Sequence, residues 1–208
     1  VFFRERWVTT MATITVEAKE KGFLLSAEHT TGILIPFAPE RPRKQEVTIW
    51  QSVCPGEIYG DGVNQWFSQV LDTKCQLVYM PADTRRSVNP RFDRGKDIVS
   101  LADGYPLMVL SEASLVDLNE RILSTLKDAD DGVCVPLPMN RFRPNIVISG
   151  SDAFAEDGWR KIKIGDAVFR STKPCERCVV TTVEQTTVEF DGKQPLKTLA
   201  SYRMAKTV

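Results

Sequence analysis

Two cysteines three residues apart, Cys175 and Cys178, stand in the stretch Lys173-Pro-Cys-Glu-Arg-Cys-Val-Val-Thr-Thr-Val183, at the mouth of a run of β-forming residues. A thiolate is a soft ligand for zinc, copper, iron–sulfur clusters or a heavier soft metal, and it is also a redox nucleophile. Zinc wants four ligands, usually from two paired knuckles, whereas this chain has one Cys-x-x-Cys, no second pair and one distant histidine, His29. A thioredoxin-type pair needs a helix N-terminus to lower the first thiol's pKa, and Val179 to Val183 reads as strand. A buried structural pair is the plain alternative, but Lys173, Glu176 and Arg177 make the segment charged and wet. What remains is one thiolate offered to a metal that a cofactor brings.

Further along in chemistry, though earlier in the chain, comes Asn140-Arg-Phe-Arg-Pro-Asn-Ile-Val-Ile-Ser-Gly150. Arg143 precedes Pro144 and is expected to be extended, and Asn145 leads into Ile146-Val-Ile148, read as a buried strand. A guanidinium fork and an amide held there suit a phosphate or the edge of a heterocycle; a salt bridge plus a turn would use the same residues. Ser111 opens a helix over 111–123, with an acidic first turn and Leu115, Leu118 and Ile122 on one face. Its first N–H groups either take simple capping or hold an anion. Arg85, Arg86, Arg91 and Arg94 lie in a polar loop, 81–96, which faces an anionic or bulky ligand or is a solvated boundary.

The elements that position these residues are β-rich. Ala12 to Ala18, Phe23 to Ser26, Ile33 to Phe37 and Glu46 to Val53 alternate in the strand manner. Gln76 to Met80, Leu107 to Leu110 and Thr187 to Phe190 read as further strands, followed by a short terminal segment, Leu196 to Tyr202. Val63, Trp66, Phe67, Val70 and Leu71 make one helical stripe, the packing face of a helix on a sheet. Trp159 to Phe169 reads as a hairpin centred on Gly165-Asp166.

At 208 residues the chain holds one or two domains. Its 27 Lys plus Arg balance 27 Asp plus Glu, and Arg41 to Lys44 is only a short basic cluster, which disfavours wholesale nucleic-acid binding. The longest apolar stretches are too short to span a bilayer, and no signal pattern opens the chain, so a soluble protein without a transmembrane segment is expected. Five cysteines, Cys54, Cys75, Cys134, Cys175 and Cys178, lack the dense even spacing of a disulfide scaffold and point to an intracellular, reducing compartment.

Four motifs in order, Ala102-Asp-Gly-Tyr-Pro106, Leu110-Ser-Glu-Ala-Ser-Leu115, Arg141-Phe-Arg-Pro-Asn-Ile-Val147 and Cys175-Glu-Arg-Cys-Val-Val-Thr-Thr-Val183, resemble those of MOSC-domain molybdenum enzymes, in particular the amidoxime-reducing components. The resemblance covers about residues 97–203 specifically and the upstream part, through Gly60-Asp-Gly-Val-Asn-Gln-Trp66, more loosely. It implies an α+β, β-rich fold: a MOSC-type β-barrel with a few helices over 97–208, lacking its last strands, after a smaller β-rich N-terminal domain over 1–96, incomplete at its start. It implies a molybdenum cofactor (molybdopterin), with Cys178 as the metal ligand and Cys175 replaceable. Asp103 stands beside the metal as proton-handling or substrate-orienting carboxylate, and Gly104, Tyr105, Ser111, Arg143 and Asn145 line the pterin. The implied reaction reduces N-hydroxylated small molecules, amidoximes and hydroxylamines, to amidines and amines. A cofactor or sulfur carrier without turnover is the alternative. No second cysteine cluster and no flavin fingerprint are visible, so electrons are expected from a separate cytochrome or flavoprotein reductase. A mitochondrial or cytoplasmic location is implied. The relatives' Tyr-Pro-Val-Lys-Ser-like stretch has no counterpart here, and Arg6 is the nearest match to the phosphate-gripping arginine that follows it.

Overall fold

The structure, a computed structural model, describes residues 8–125 and 136–204; Arg6, Cys134 and the acidic stretch 128–132 lie outside them. The chain divides into two compact units, one up to Pro106 and one from Leu107 on.

The first unit is built from two antiparallel sheets and a helix. β1 (Thr15–Lys19), β2 (Gly22–Ser26) and β3 (Ile33–Pro36) form one meander, in which Gly22 lies so close to β3 that a Cβ would stand 2.0 Å from the Ile35 carbonyl oxygen. β4 (Arg43–Ile49), β5 (Ser52–Ile58) and the two-residue β6 (Val78–Tyr79) form the other. The stretch Glu46 to Val53, expected as one strand, is two: the chain turns at Trp50, whose φ of 56° lies in the left-handed region. Alternation carries across such a tight turn, so the sequence conceals it.

Helix α1 (Asp61–Val70) carries the expected stripe. Trp66 packs with Leu25, Ile35 and Tyr59, flanked by Val63, Phe67 and Val70, and its indole N–H donates to the Thr31 carbonyl at 2.7 Å. Asn64 satisfies two buried backbone groups at once, donating to Tyr59 O and accepting from Leu77 N–H. Loop 81–96 has no strand or helix of its own, but Arg86 is not on its surface: it is 6% exposed.

In the second unit, β7 (Val109–Ser111) runs parallel to β8 (Ile146–Ile148), and helix α2 (Glu112–Thr125) packs Leu118 and Ile122 with Leu137 and Phe142. Full burial of a side chain such as Ile122 contributes roughly 1.5–3 kcal/mol. β8, expected to be buried, is half-exposed, with Val147 47% exposed, because only β7 pairs with it. The hairpin β9 (Lys161–Ile164) and β10 (Ala167–Arg170) turns on Gly165-Asp166 as expected, Gly165 taking φ 58°. The last segment is a helix, α3 (Leu196–Tyr202), packing Leu199 and Tyr202 onto the α2 core; Thr187 to Phe190 contributes only one bridge, Val183 to Phe190.

The architecture is thus mixed α and β with several small sheets. A closed barrel is not formed among the described residues: β7–β8 and β9–β10 are separate pairs, and closure needs one continuous ladder. No described helix is long and apolar enough to cross a membrane.

Candidate functional site

Within the second unit, Met108 is the junction at which the sequence motifs meet. Its N–H donates to Asn145 Oδ1 at 2.8 Å, and its carbonyl accepts the N–H groups of Asn145 (2.9 Å) and Ile146 (3.1 Å). The Asn145 side chain thereby extends the β7–β8 pairing by one residue, which fixes where the Arg143–Asn145 segment leaves the sheet. Arg143 itself is not extended as expected; with φ 50° and ψ 48° it is left-handed, its N–H donating to Asn140 O as it closes the 3₁₀ turn Met139–Phe142. The clash with Pro144 disfavours the right-handed helical region, and the turn geometry selects the left-handed one instead of the strand region. Such a conformation in a non-glycine residue costs about 1–3 kcal/mol and persists where the surroundings over-determine it. Here Phe142 does so, anchored in the core.

Arg177 straps the cysteine segment to the same place. Its Nη1 donates to Met108 Sδ (2.7 Å) and to Cys175 Sγ (3.2 Å), its Nη2 to the Phe142 carbonyl (2.8 Å), and its guanidinium lies 5.6 Å from the Phe142 ring centre. One planar fork thus ties 175–178 to 142–145. Cys178 follows, its thiol exposed. Val179 to Thr182, expected as strand, is a 3₁₀ turn: the Cys178 carbonyl accepts both the N–H and the hydroxyl of Thr181, and Thr182 Oγ1 donates to Val179 O. β-branched residues are strand formers by packing rather than by backbone preference, and threonine hydroxyls offered the backbone a competing local partner. Beside this turn an open depression of about 390 Å³ is lined by Val179, Thr182, Gly192, Lys193, Leu196 and Lys197.

Ser111 is placed differently. It is fully buried; its hydroxyl caps α2 by accepting the Ser114 N–H (3.1 Å), and its own N–H donates to Glu156 Oε1 (3.2 Å), which also accepts from Ser114 Oγ (2.7 Å). The anion at this helix N-terminus is therefore the protein's own carboxylate, an interaction that sequence could not reveal across 45 residues.

Asp103, Gly104 and Tyr105 belong to the first unit. Asp103 is exposed, and its Oδ1 accepts the Trp50 indole N–H at 3.2 Å. Arg86 holds the backbone behind it, with Nη1 donating to the carbonyls of Ser100 (2.7 Å) and Ala102 (2.6 Å) and Nη2 to that of Asp103 (3.5 Å). Of the four loop arginines, Arg86 is thus the one turned inward, and Trp50 is the site neighbour that sequence reading missed. Tyr105 packs edge-on against Phe92, and its hydroxyl is buried without a partner among the described residues.

These donors suit a metal carried by an organic cofactor. Among the described residues no three His, Cys, Asp or Glu side chains gather as a metal cage. Two exposed thiols, Cys175 and Cys178, offer soft ligands in a segment tied to the stretch that carries Arg143 and Asn145, an arginine and an amide suited to phosphate or heterocycle edges.

Comparison with known proteins places residues 96–208 in the MOSC domain. The chain is 36% identical over 197 residues to mitochondrial amidoxime-reducing component 1 of Mus musculus, covering 92% of this chain and 54% of that protein. It is 39% identical over 208 residues to mitochondrial amidoxime reducing component 2 of Macaca fascicularis, covering 92% and 58%. Molybdenum cofactor sulfurase of Oryza sativa subsp. japonica is 36% identical over 170 residues, 78% of this chain but 20% of the relative. The chain spans about half the length of these two amidoxime-reducing relatives.

Proposed function

The chain belongs to the MOSC-domain family, and from that premise we propose that it is a molybdenum-cofactor oxidoreductase that reduces N-hydroxylated small molecules to the parent amidine or amine. The observation that carries this reading is the Arg177 strap, which draws the exposed Cys178 segment and the Arg143–Asn145 segment together on Met108. When bound, the pterin-held molybdenum supplies the two-electron oxygen-removing chemistry that no side chain offers. Two electrons and two protons convert N–OH to N–H and water, and the electrons come from a separate cytochrome or flavoprotein reductase.

The chain's own residues supply placement and protons. Cys178 would hold the metal as a thiolate ligand. Arg143 and Asn145 would hold the pterin, and the family resemblance assigns Gly104 and Tyr105 to the cofactor lining. Asp103 would serve as the proton-handling or substrate-orienting carboxylate. Ser111 acts from beneath, by capping α2. The first unit corresponds to the family's β-rich N-terminal domain, and β7–β10 are pieces of its barrel. The names of the animal relatives support a mitochondrial location.

A second reading, a cofactor or sulfur carrier without turnover, is favoured by the sulfurase relative. Benzamidoxime reduction with a chemical electron donor by full-length protein holding stoichiometric molybdenum separates the two. Turnover supports the oxidoreductase; loaded protein that reduces no N-hydroxylated compound leaves the carrier.

A further inference from the structure

We propose that Trp50 is a positioning residue for Asp103, holding one carboxylate oxygen so that the other faces the ligand; this rests on the role proposed above for Asp103. Asp103 is exposed, and an exposed carboxylate on a free side chain samples several rotamers. Here both ends of the residue are held. Arg86, itself 6% exposed, gathers the carbonyls of Ser100, Ala102 and Asp103, so the backbone behind the carboxylate is fixed from within. The Trp50 indole N–H then reaches Oδ1 from 53 residues away in sequence. Oδ2 is the oxygen this leaves for a ligand.

Trp50 is 54% exposed, so core packing does not account for an indole at this position. It stands at the turn of the longest hairpin among the described residues, seven residues in each strand, and takes φ 56°, a conformation uncommon for a bulky residue. An exposed aromatic at a strained position on a rigid hairpin, bonded to the candidate proton carrier, has the features of a preorganised support. Fixing a reacting group's orientation lowers the barrier without changing how tightly substrate is held.

Trp50→Phe keeps the ring and removes the donor. In full-length, cofactor-loaded protein we expect kcat for benzamidoxime to fall about tenfold, the loss that follows from one hydrogen bond to a charged group, while KM stays within about twofold. In the full chain without cofactor, the Trp50 indole N–H resonance is expected to move on Asp103→Ala. An indole resonance indifferent to Asp103, or a Trp50→Phe enzyme with unchanged kcat, overturns the proposal. A loaded wild-type protein that reduces no N-hydroxylated compound counts against the proposed function, whereas the resonance of the cofactor-free chain tests the pairing by itself.

Discussion

Asn145 and Met108 hold each other twice: the Asn145 amide oxygen accepts the Met108 N–H at 2.8 Å, and the Asn145 N–H donates to the Met108 carbonyl at 2.9 Å. A side chain here imitates a strand's backbone, so the residue is both a sheet element and a candidate cofactor contact. Asn145→Ala is expected to lower stability by about 1 kcal/mol, the usual net worth of such a bond, and to lower bound molybdenum as well. Urea unfolding and metal analysis on the same preparation check both effects; a stable variant with full metal content would contradict the dual role.

The two cysteines are expected to be unequal. Cys175 already receives a hydrogen bond from Arg177 and is tied into the strap, whereas Cys178 begins the turn beside the open depression. Cys178→Ala should lose bound molybdenum by at least about tenfold, and Cys175→Ala should keep most of it. Equal losses would return the pair to a two-thiol site.

Glu156 replaces an outside anion at the N-terminus of α2. Glu156→Ala strands the Ser111 N–H and the Ser114 hydroxyl and should cost about 1–3 kcal/mol in a denaturant titration. Glu156→Gln, which retains an acceptor oxygen, should cost less, and a smaller loss in Ala than in Gln would refute the assignment.

Two partly exposed carboxylates, Asp93 and Glu184, set an acid limb. The Gly95 N–H first, and then those of Asp97, Lys96 and Arg94, holds Asp93 below its ordinary 3.8 against a weaker opposing desolvation. Glu184 is held below 4.5 chiefly by the Thr187 N–H. Folded pKa values lower than unfolded ones mean that the unfolded chain binds more protons. Their stabilising contribution is therefore present above the ordinary values and is lost as pH falls through the depressed ones. Wild type should be more stable than Asp93→Asn at about pH 6, with the difference shrinking toward about pH 3.

Elements governed by local pattern were legible in the sequence. The Val63, Trp66 and Phe67 stripe gave α1; Ser111 and its downstream leucines gave α2; Gly165-Asp166 gave the β9–β10 turn. Where local and tertiary preferences compete, reading failed. Val179 to Thr182 carries strand-forming residues but winds into a 3₁₀ turn through its threonine hydroxyls, and Leu196 to Tyr202, a terminal segment to which the sequence assigned no element, is a helix that packs Leu199 and Tyr202 on α2. Arg143 obeyed the turn before it rather than the proline after it. Cys178, Arg143, Asn145 and Asp103 could be singled out because their motifs are short and contiguous. Trp50, Arg86 and Glu156 could not, since each acts through a partner 14 to 53 residues away.

The three bonds that converge on Met108 and Phe142 close chain segments of 37, 69 and 35 residues. Loops of that length bring an entropy cost that must be met before their contacts reward it. Hairpins such as β9–β10 need no such closure, so the corner around Met108 is expected to gain protection late in refolding. Pulsed hydrogen exchange would show the Asn145 and Ile146 amides protected after those of the hairpin. The chemistry-bearing corner is in this sense the keystone of its unit, set last, and a chain stalled short of it would carry well-formed strands and no site.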